Sequence, residues 1–175
     1  PDKIEERPVR EPSRLRRMVD RALGWSAQDA IQVKGMDDIM VYRARCCGPV
    51  PGEAIVGYVT RGKGVSVHST SCGNIARLLE TEDRRIDVVW KGEEGNVLPV
   101  RLRVEFDDRP GLFAVLTSKI AEGGANIRHI ESKLESYKGR VDLILDVQDS
   151  QHLRAVVSAI ETIEGVRSVH RGRVP

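Results

Sequence analysis

Cys46, Cys47, His68 and Cys72 are spaced C-C-x20-H-x3-C and include all three cysteines of the chain. Thiolate sulfur and imidazole nitrogen are the ligands of closed tetrahedral zinc sites, and four of them leave no position for a catalytic water. The set therefore predicts a structural zinc rather than a catalytic one. Neighbouring side chains on a strand point to opposite faces, so Cys46 and Cys47 can share one ion only where the chain turns. Gly48 and Pro49 supply that turn. Such zinc can be lost in handling, because thiolates oxidise and metal affinity falls as pH falls. The plainer reading is three inert thiols and an unrelated surface histidine. Every cysteine lies close in sequence to another ligand, which argues against it.

Two further sets are candidates for binding. Arg43, Arg45, Arg61 and Lys63 flank the cysteines, and Glu53 is the one acid between residues 40 and 64. Four cations around a zinc-stapled hairpin form a candidate RNA contact through phosphates, against the bland reading of a solvated face. Asp108-Arg-Pro-Gly-Leu112 and Asn126-Ile127 bracket a predicted helix. Backbone N–H groups at a helix start and an Asn amide are suited to a small amino acid if the two segments come together; tight turns explain the same residues. His129, His152 and His170 lack ligand-spaced companions and read as surface or core residues. No Ser/His/Asp order, P-loop, dinucleotide fingerprint or paired-carboxylate site is visible.

The elements that must position these residues fall into two groups. The 175 residues are 40% hydrophobic but only 4% aromatic, which favours two modest cores over one large one. A net charge of +2 makes no global claim for nucleic acid. No apolar run spans a membrane. An odd cysteine count without a secretory signal argues for a reducing compartment. The chain opens without Met and reads as a piece of something longer. Residues 1–31 are expected to be a linker with a short helix over 14–23, left over from a preceding helical region. The first domain, 32–91, is read as strands over 39–42, 55–59 and 65–68, a helix over 72–80 and a strand over 86–90. Residues 92–98 are read as a hinge around Gly92 and Gly95. In 99–175, Val100, Leu102, Val104 and Phe106 alternate with charged residues, as do Val141, Leu143, Leu145 and Val147 with their neighbours. Helical stripes run through Leu112, Leu116 and Ile120 and through Leu153, Val156 and Ile160, the second with Ser150 as its expected cap. The order βαββαβ is ferredoxin-like, an α+β fold with two helices on one sheet face. The other face lacks cover and carries Ile144, so pairing with a second copy is expected.

The run Ala44-Arg-Cys-Cys-Gly-Pro-Val-Pro-Gly-Glu through His68 and Cys72 resembles the zinc-finger segment of long RelA/SpoT homologues, which make and degrade ppGpp and pppGpp. Asp108-Arg-Pro-Gly-Leu112 with Asn126-Ile127 resembles the ACT domain that closes those proteins. The resemblance covers residues 32–174 in the family's order. It implies a non-catalytic regulatory fragment of a cytoplasmic bacterial enzyme, with the hydrolase and synthetase domains lying N-terminal of it. It also implies contacts with ribosomal RNA and tRNA on stalled ribosomes, a relay of amino-acid starvation to the catalytic domains of the same chain, and homodimerisation through ACT domains. No membrane contact is implied. By position it assigns zinc to Cys46, Cys47, His68 and Cys72. It assigns an amino-acid effector to Asp108, Gly111, Leu112, Asn126 and Ile127, with branched-chain amino acids as the alternative controlling signal. Ser69 and Ser71 depart from it, standing where Arg and an acidic or amide residue are expected, and Glu53 stands in place of Asp.

Overall fold

A computed structural model describes residues 31–35, 39–78, 84–91 and 97–172. The helix expected over 14–23 and the hinge residues 92–96 lie outside the described residues. The first domain holds β1 (Ile31–Val33), β2 (Val41–Arg43), β3 (Ile55–Thr60), β4 (Gly64–Ser69), α1 (Gly73–Leu78), β5 (Arg85–Ile86) and β6 (Val88–Trp90). Its four-stranded sheet has the order β2-β4-β3-β5, while β1 and β6 form a separate antiparallel pair. The hairpin of β3 and β4 turns at Gly62 and Gly64, both at positive φ. A Cβ on Gly64 would lie 2.1 Å from the Met40 carbonyl oxygen, so only glycine fits there. Two expectations are corrected. The strand expected over 86–90 is broken at Asp87 into β5 and β6, which pair with different partners, and β1 had no strand reading at all. Three-residue strands are too short for alternation to announce them.

The second domain runs β7 (Leu98–Asp107), α2 (Leu112–Glu122), β8 (Asn126–Glu135), β9 (Lys138–Val147), α3 (Ser150–Glu161) and β10 (Val166–Arg171). The sheet order β10-β7-β9-β8 is that of a ferredoxin-like unit. β7 starts at Leu98, inside the segment read as hinge, and Leu98 is fully buried. Leu98, Val100, Leu102, Val104 and Phe106 point beneath α2 and α3 with the inward residues of β9, as the alternation requires. Gly139 stands opposite Phe106, where a Cβ would lie 2.2 Å from the ring. The cap of α3 is Asp149 rather than Ser150: its Oδ1 accepts from His152 N–H at 2.8 Å. The His152 ring spans the two helices, with Nδ1 near Gln148 N–H at 3.2 Å and Nε2 2.9 Å from the Gly123 carbonyl.

The helix-free face of this sheet is charged, not apolar. Asp142 on β9 is 7% exposed and is ringed by arginines. Arg103 Nε donates to it at 2.9 Å, and the Nε atoms of Arg101 and Arg140 stand 3.8 Å away. Burial raises the Asp142 pKa, but the Arg103 hydrogen bond and the three guanidinium charges outweigh it and hold the carboxyl below its ordinary value. The apolar Ile144 therefore sits among ions, so lack of helix cover is not by itself a reason for this face to pair.

The two domains share a core. The β2–β3 loop carries Val50 out of the first domain and into the second, where it is fully buried with Leu98, Val100 and Val147. Burying one valine contributes about 1.5–3 kcal/mol.

Candidate metal centre

Each ligand is placed by a different local device. Cys46 and Cys47 lie in a tight turn after β2, closed by Gly48 N–H donating to the Ala44 carbonyl at 2.7 Å. His68 is on β4, a central strand covered on both faces, and is 5% exposed. Cys72 immediately precedes α1, in a turn where Ser69 and Ser71 hydroxyls lie 2.8 Å apart. The four ligand atoms all lie within 4.8 Å of one another. Cys46 Sγ is 3.3 Å from His68 Nδ1, 3.5 Å from Cys72 Sγ and 3.9 Å from Cys47 Sγ, and Cys47 Sγ is 3.9 Å from His68 Nδ1. Zinc–sulfur bonds of about 2.3 Å set tetrahedral sulfurs about 3.8 Å apart, so this donor set fits the ion in both chemistry and spacing.

Two supporting residues escape a ligand count. Ser66 Oγ lies 3.2 Å from His68 Nε2. A tautomer that donates Nε2–H to Ser66 turns the Nδ1 lone pair toward the sulfurs, the outer-shell arrangement usual for metal-binding histidines. Ser69 N–H donates to Cys47 Sγ at 3.4 Å. The signal for Ser66 was present in the sequence: two residues before His68 on one strand, it shares the histidine's face.

Burial pushes the Cys46 thiol up, and the Cys47 thiol up to about 12. Burial also raises Cys72, but hydrogen bonds from Asn74 N–H, the Cys46 and Cys47 thiols and Ile75 N–H outweigh it and bring that thiol below its usual value. Burial holds His68 down, so its ring is neutral at pH 7 and available as a ligand. Protein contacts alone thus ease ionisation at Cys72 and oppose it at Cys46 and Cys47, so three ionised thiols require a cation among them.

The candidate RNA contacts separate. Arg43 is turned inward: its Nε donates to the Pro49 carbonyl at 2.6 Å and its Nη2 to Gly48 at 2.7 Å, so it is withdrawn from the set. Burial, then Arg171, lowers its pKa to about 10 against the pull of Glu53 and Cys47, which leaves it charged at neutral pH. Arg45 is exposed at the metal end of the domain, whereas Arg61 and Lys63 are exposed at the far hairpin turn. From Gly64 to His68 the strand covers roughly 13 Å at about 3.3 Å per residue. The four cations therefore do not form one cluster around the metal ligands.

The candidate amino-acid contacts are also split. Gly111, at φ 81, caps the start of α2, while Asn126 and Ile127 follow its end. Eleven helical residues set these segments about 16 Å apart, so one copy does not bring them into one pocket. Leu112 is 1% exposed in the core, and Ile127 packs against the same core. Asp108 is exposed, and its N–H donates to the Tyr137 carbonyl at 2.8 Å. Asn126 Nδ2 donates to Asp146 at 3.3 Å. The expectation that these segments meet fails because β7 and β8 run parallel, each crossing the sheet in the same direction.

Comparison with known proteins gives these modules their family. Residues 31–91 match the RelA/SpoT RIS domain and residues 94–171 match the ACT domain. A GTP pyrophosphokinase of Myxococcus xanthus is 37% identical over 161 residues, covering 91% of this chain and 21% of that protein. The bifunctional (p)ppGpp synthase/hydrolase RelA of Mycobacterium tuberculosis is 35% identical over 144 residues, covering 81% of this chain and 19% of that protein. A crystal structure of the ACT domain from GTP pyrophosphokinase of Chlorobium tepidum is 21% identical, with a TM-score of 0.41, covering 43% of this chain and 99% of that one. The chain spans about a fifth of the length of the Myxococcus and Mycobacterium relatives and covers only their RIS and ACT domains, the catalytic domains lying elsewhere in the parent. It belongs to the RelA/SpoT family, as the C-terminal regulatory region in which a RIS domain bearing a Cys3His cluster is followed by an ACT domain.

Proposed function

We propose that this region relays amino-acid starvation from the ribosome to the catalytic domains of a bacterial cytoplasmic (p)ppGpp synthetase/hydrolase, and that it pairs with a second copy through its ACT domain. The observation that carries the reading is the joining of a Cys3His cluster, whose four ligands would leave a bound zinc no open position, to an ACT domain in one chain. Zinc is the ion these ligands suit, and when bound it supplies a dication that offsets the thiolate charge and fixes the turn. The chain's own residues do the rest. Ser66 orients His68, and Gly48 closes the Cys46–Cys47 turn. Arg45, Arg61 and Lys63 offer exposed charge to phosphates of ribosomal RNA and tRNA. The edge of β8, unpaired among the described residues and carrying Ile130 and Leu134 at 43% and 55% exposure, supports pairing.

Co-sedimentation with ribosomes carrying deacylated tRNA tests the reading. Binding is expected at low salt and weakens as salt rises. Arg61→Glu with Lys63→Glu lowers affinity and flattens the salt slope by about one unit for each phosphate that is no longer neutralised. No binding at low salt sinks the ribosome relay.

A further inference from the structure

The segment Gly48–Glu53 joins the metal ligands to the ACT domain, and its own hydrogen bonds are unusual for a loop. It has no ladder to satisfy its backbone, so its polar groups turn elsewhere. The Gly48 carbonyl accepts from Arg171 Nη2 at 2.9 Å as well as from Arg43. The Pro51 carbonyl accepts from Ser150 N–H at 2.8 Å, one of the donors a helix start leaves open. Glu53 Oε2 accepts from Val50 N–H at 2.8 Å, and its Oε1 accepts from Arg171 Nη1 at 2.6 Å. The Glu53 carbonyl accepts from Trp90 Nε1 at 2.9 Å. Gly52, at φ +84, passes so close to α3 that a Cβ would lie 2.7 Å from Ser150 Oγ. Between these anchors Val50 is sealed in the ACT core.

We propose that this segment is a latch through which the metal site and the ACT domain control one another: emptying the metal site loosens the ACT domain's hold on Val50, and disturbing the latch weakens metal binding. Only Gly48 and Pro49 separate Cys47 from Val50, so the two anchor points cannot move independently by more than a few ångströms. The Arg171 guanidinium touches both the Gly48 carbonyl beside the ligands and the Glu53 carboxylate beyond Val50, and so clamps the segment at both ends. Coupling of this kind is reciprocal by thermodynamic necessity. The inference rests on the metal reading of the Cys3His cluster, and two measurements keep the two apart.

The first measurement uses the unaltered chain with zinc and then with a chelator, following amide hydrogen exchange. Metal removal is expected to speed exchange at Val50, Ser150 and the other amides of the loop and the start of α3, as well as at the metal turn. The second is competition between the chain and a fluorescent zinc chelator. Arg171→Met and Glu53→Gln are expected to lower zinc affinity by roughly 5–150-fold, the usual range for coupling between two sites, while Lys119→Met on α2 leaves it unchanged. Zinc held tightly, with ACT exchange unaltered on its removal and affinity unaltered by Arg171→Met, overturns the latch and leaves the metal reading standing. No zinc in protein prepared with zinc and reductant overturns both.

Discussion

The two domains solve the same problem with unequal means. Among the described residues the ACT domain gathers eighteen buried residues into one core, while the RIS domain gathers six. One of the eighteen, Val50, comes from the RIS chain segment, so the poorer domain also gives part of its apolar content away. A core of six valines and isoleucines with no aromatic among them supplies little of what a small domain needs, and small domains make up the difference with metals or with neighbours. The contrast points to the Cys3His cluster and the docked loop as the supports the RIS domain has beside its small core, whereas the ACT domain rests chiefly on its own packing.

Removing the metal is the strongest way to break that contrast. Chelation, or Cys47→Ser, is expected to abolish cooperative unfolding of the RIS domain, because structural zinc contributes on the order of 10 kcal/mol. Near-UV circular dichroism of Trp90 and Tyr42 alongside metal analysis reads this out; an unchanged melt with the metal gone would mean the six-residue core suffices. Next in size, Leu116→Ala, at a fully buried position of α2, is expected to cost the ACT domain about 2–5 kcal/mol in urea unfolding while leaving zinc content intact at low denaturant. Val50→Ala comes third, at about 1.5–3 kcal/mol. Its diagnostic is location: the loss should be seen in the unfolding of the ACT domain although Val50 lies in the RIS segment, and a loss confined to RIS probes would contradict the shared core. Smallest is the pH effect of Asp142. Its folded pKa lies below the unfolded value of about 3.9, so its contribution is fully present above that value and is lost as pH falls through the folded value. Asp142→Asn should flatten the acid limb of the stability profile below about pH 4 and change little at pH 7 in that slope; an acid limb that does not move denies the arginine ring its role.

Much of the ACT domain was legible in the sequence because its signals are long. The alternation along β7 and β9 persists over ten residues each, and the stripes of α2 and α3 repeat over three turns. The metal ligands were legible because thiols and imidazole carry their chemistry wherever the chain puts them. The docked loop was not, since a valine between two prolines announces neither strand nor helix, and nothing local says whose core it enters. The inward turn of Arg43 was hidden for the same reason: a cation read from sequence is assigned to solvent until carbonyls of a folded loop are found to claim it. The expected meeting of residues 108–112 with Asn126 and Ile127 in one copy misled because adjacency to one helix was taken as adjacency in space, and a helix has two ends.

The burial of Val50 also bears on how such regions can be inherited. A recombination event in the inter-domain segment 92–96 would hand on an ACT core missing one side chain, beside a RIS domain displaying a naked valine and a Glu53 stripped of its arginine. Chimaeras cut there would begin life with a void on one side and an adhesive patch on the other. The unit that can be transplanted intact is therefore the pair, and swaps between relatives should keep residues 48–53 and Arg171 from the same parent.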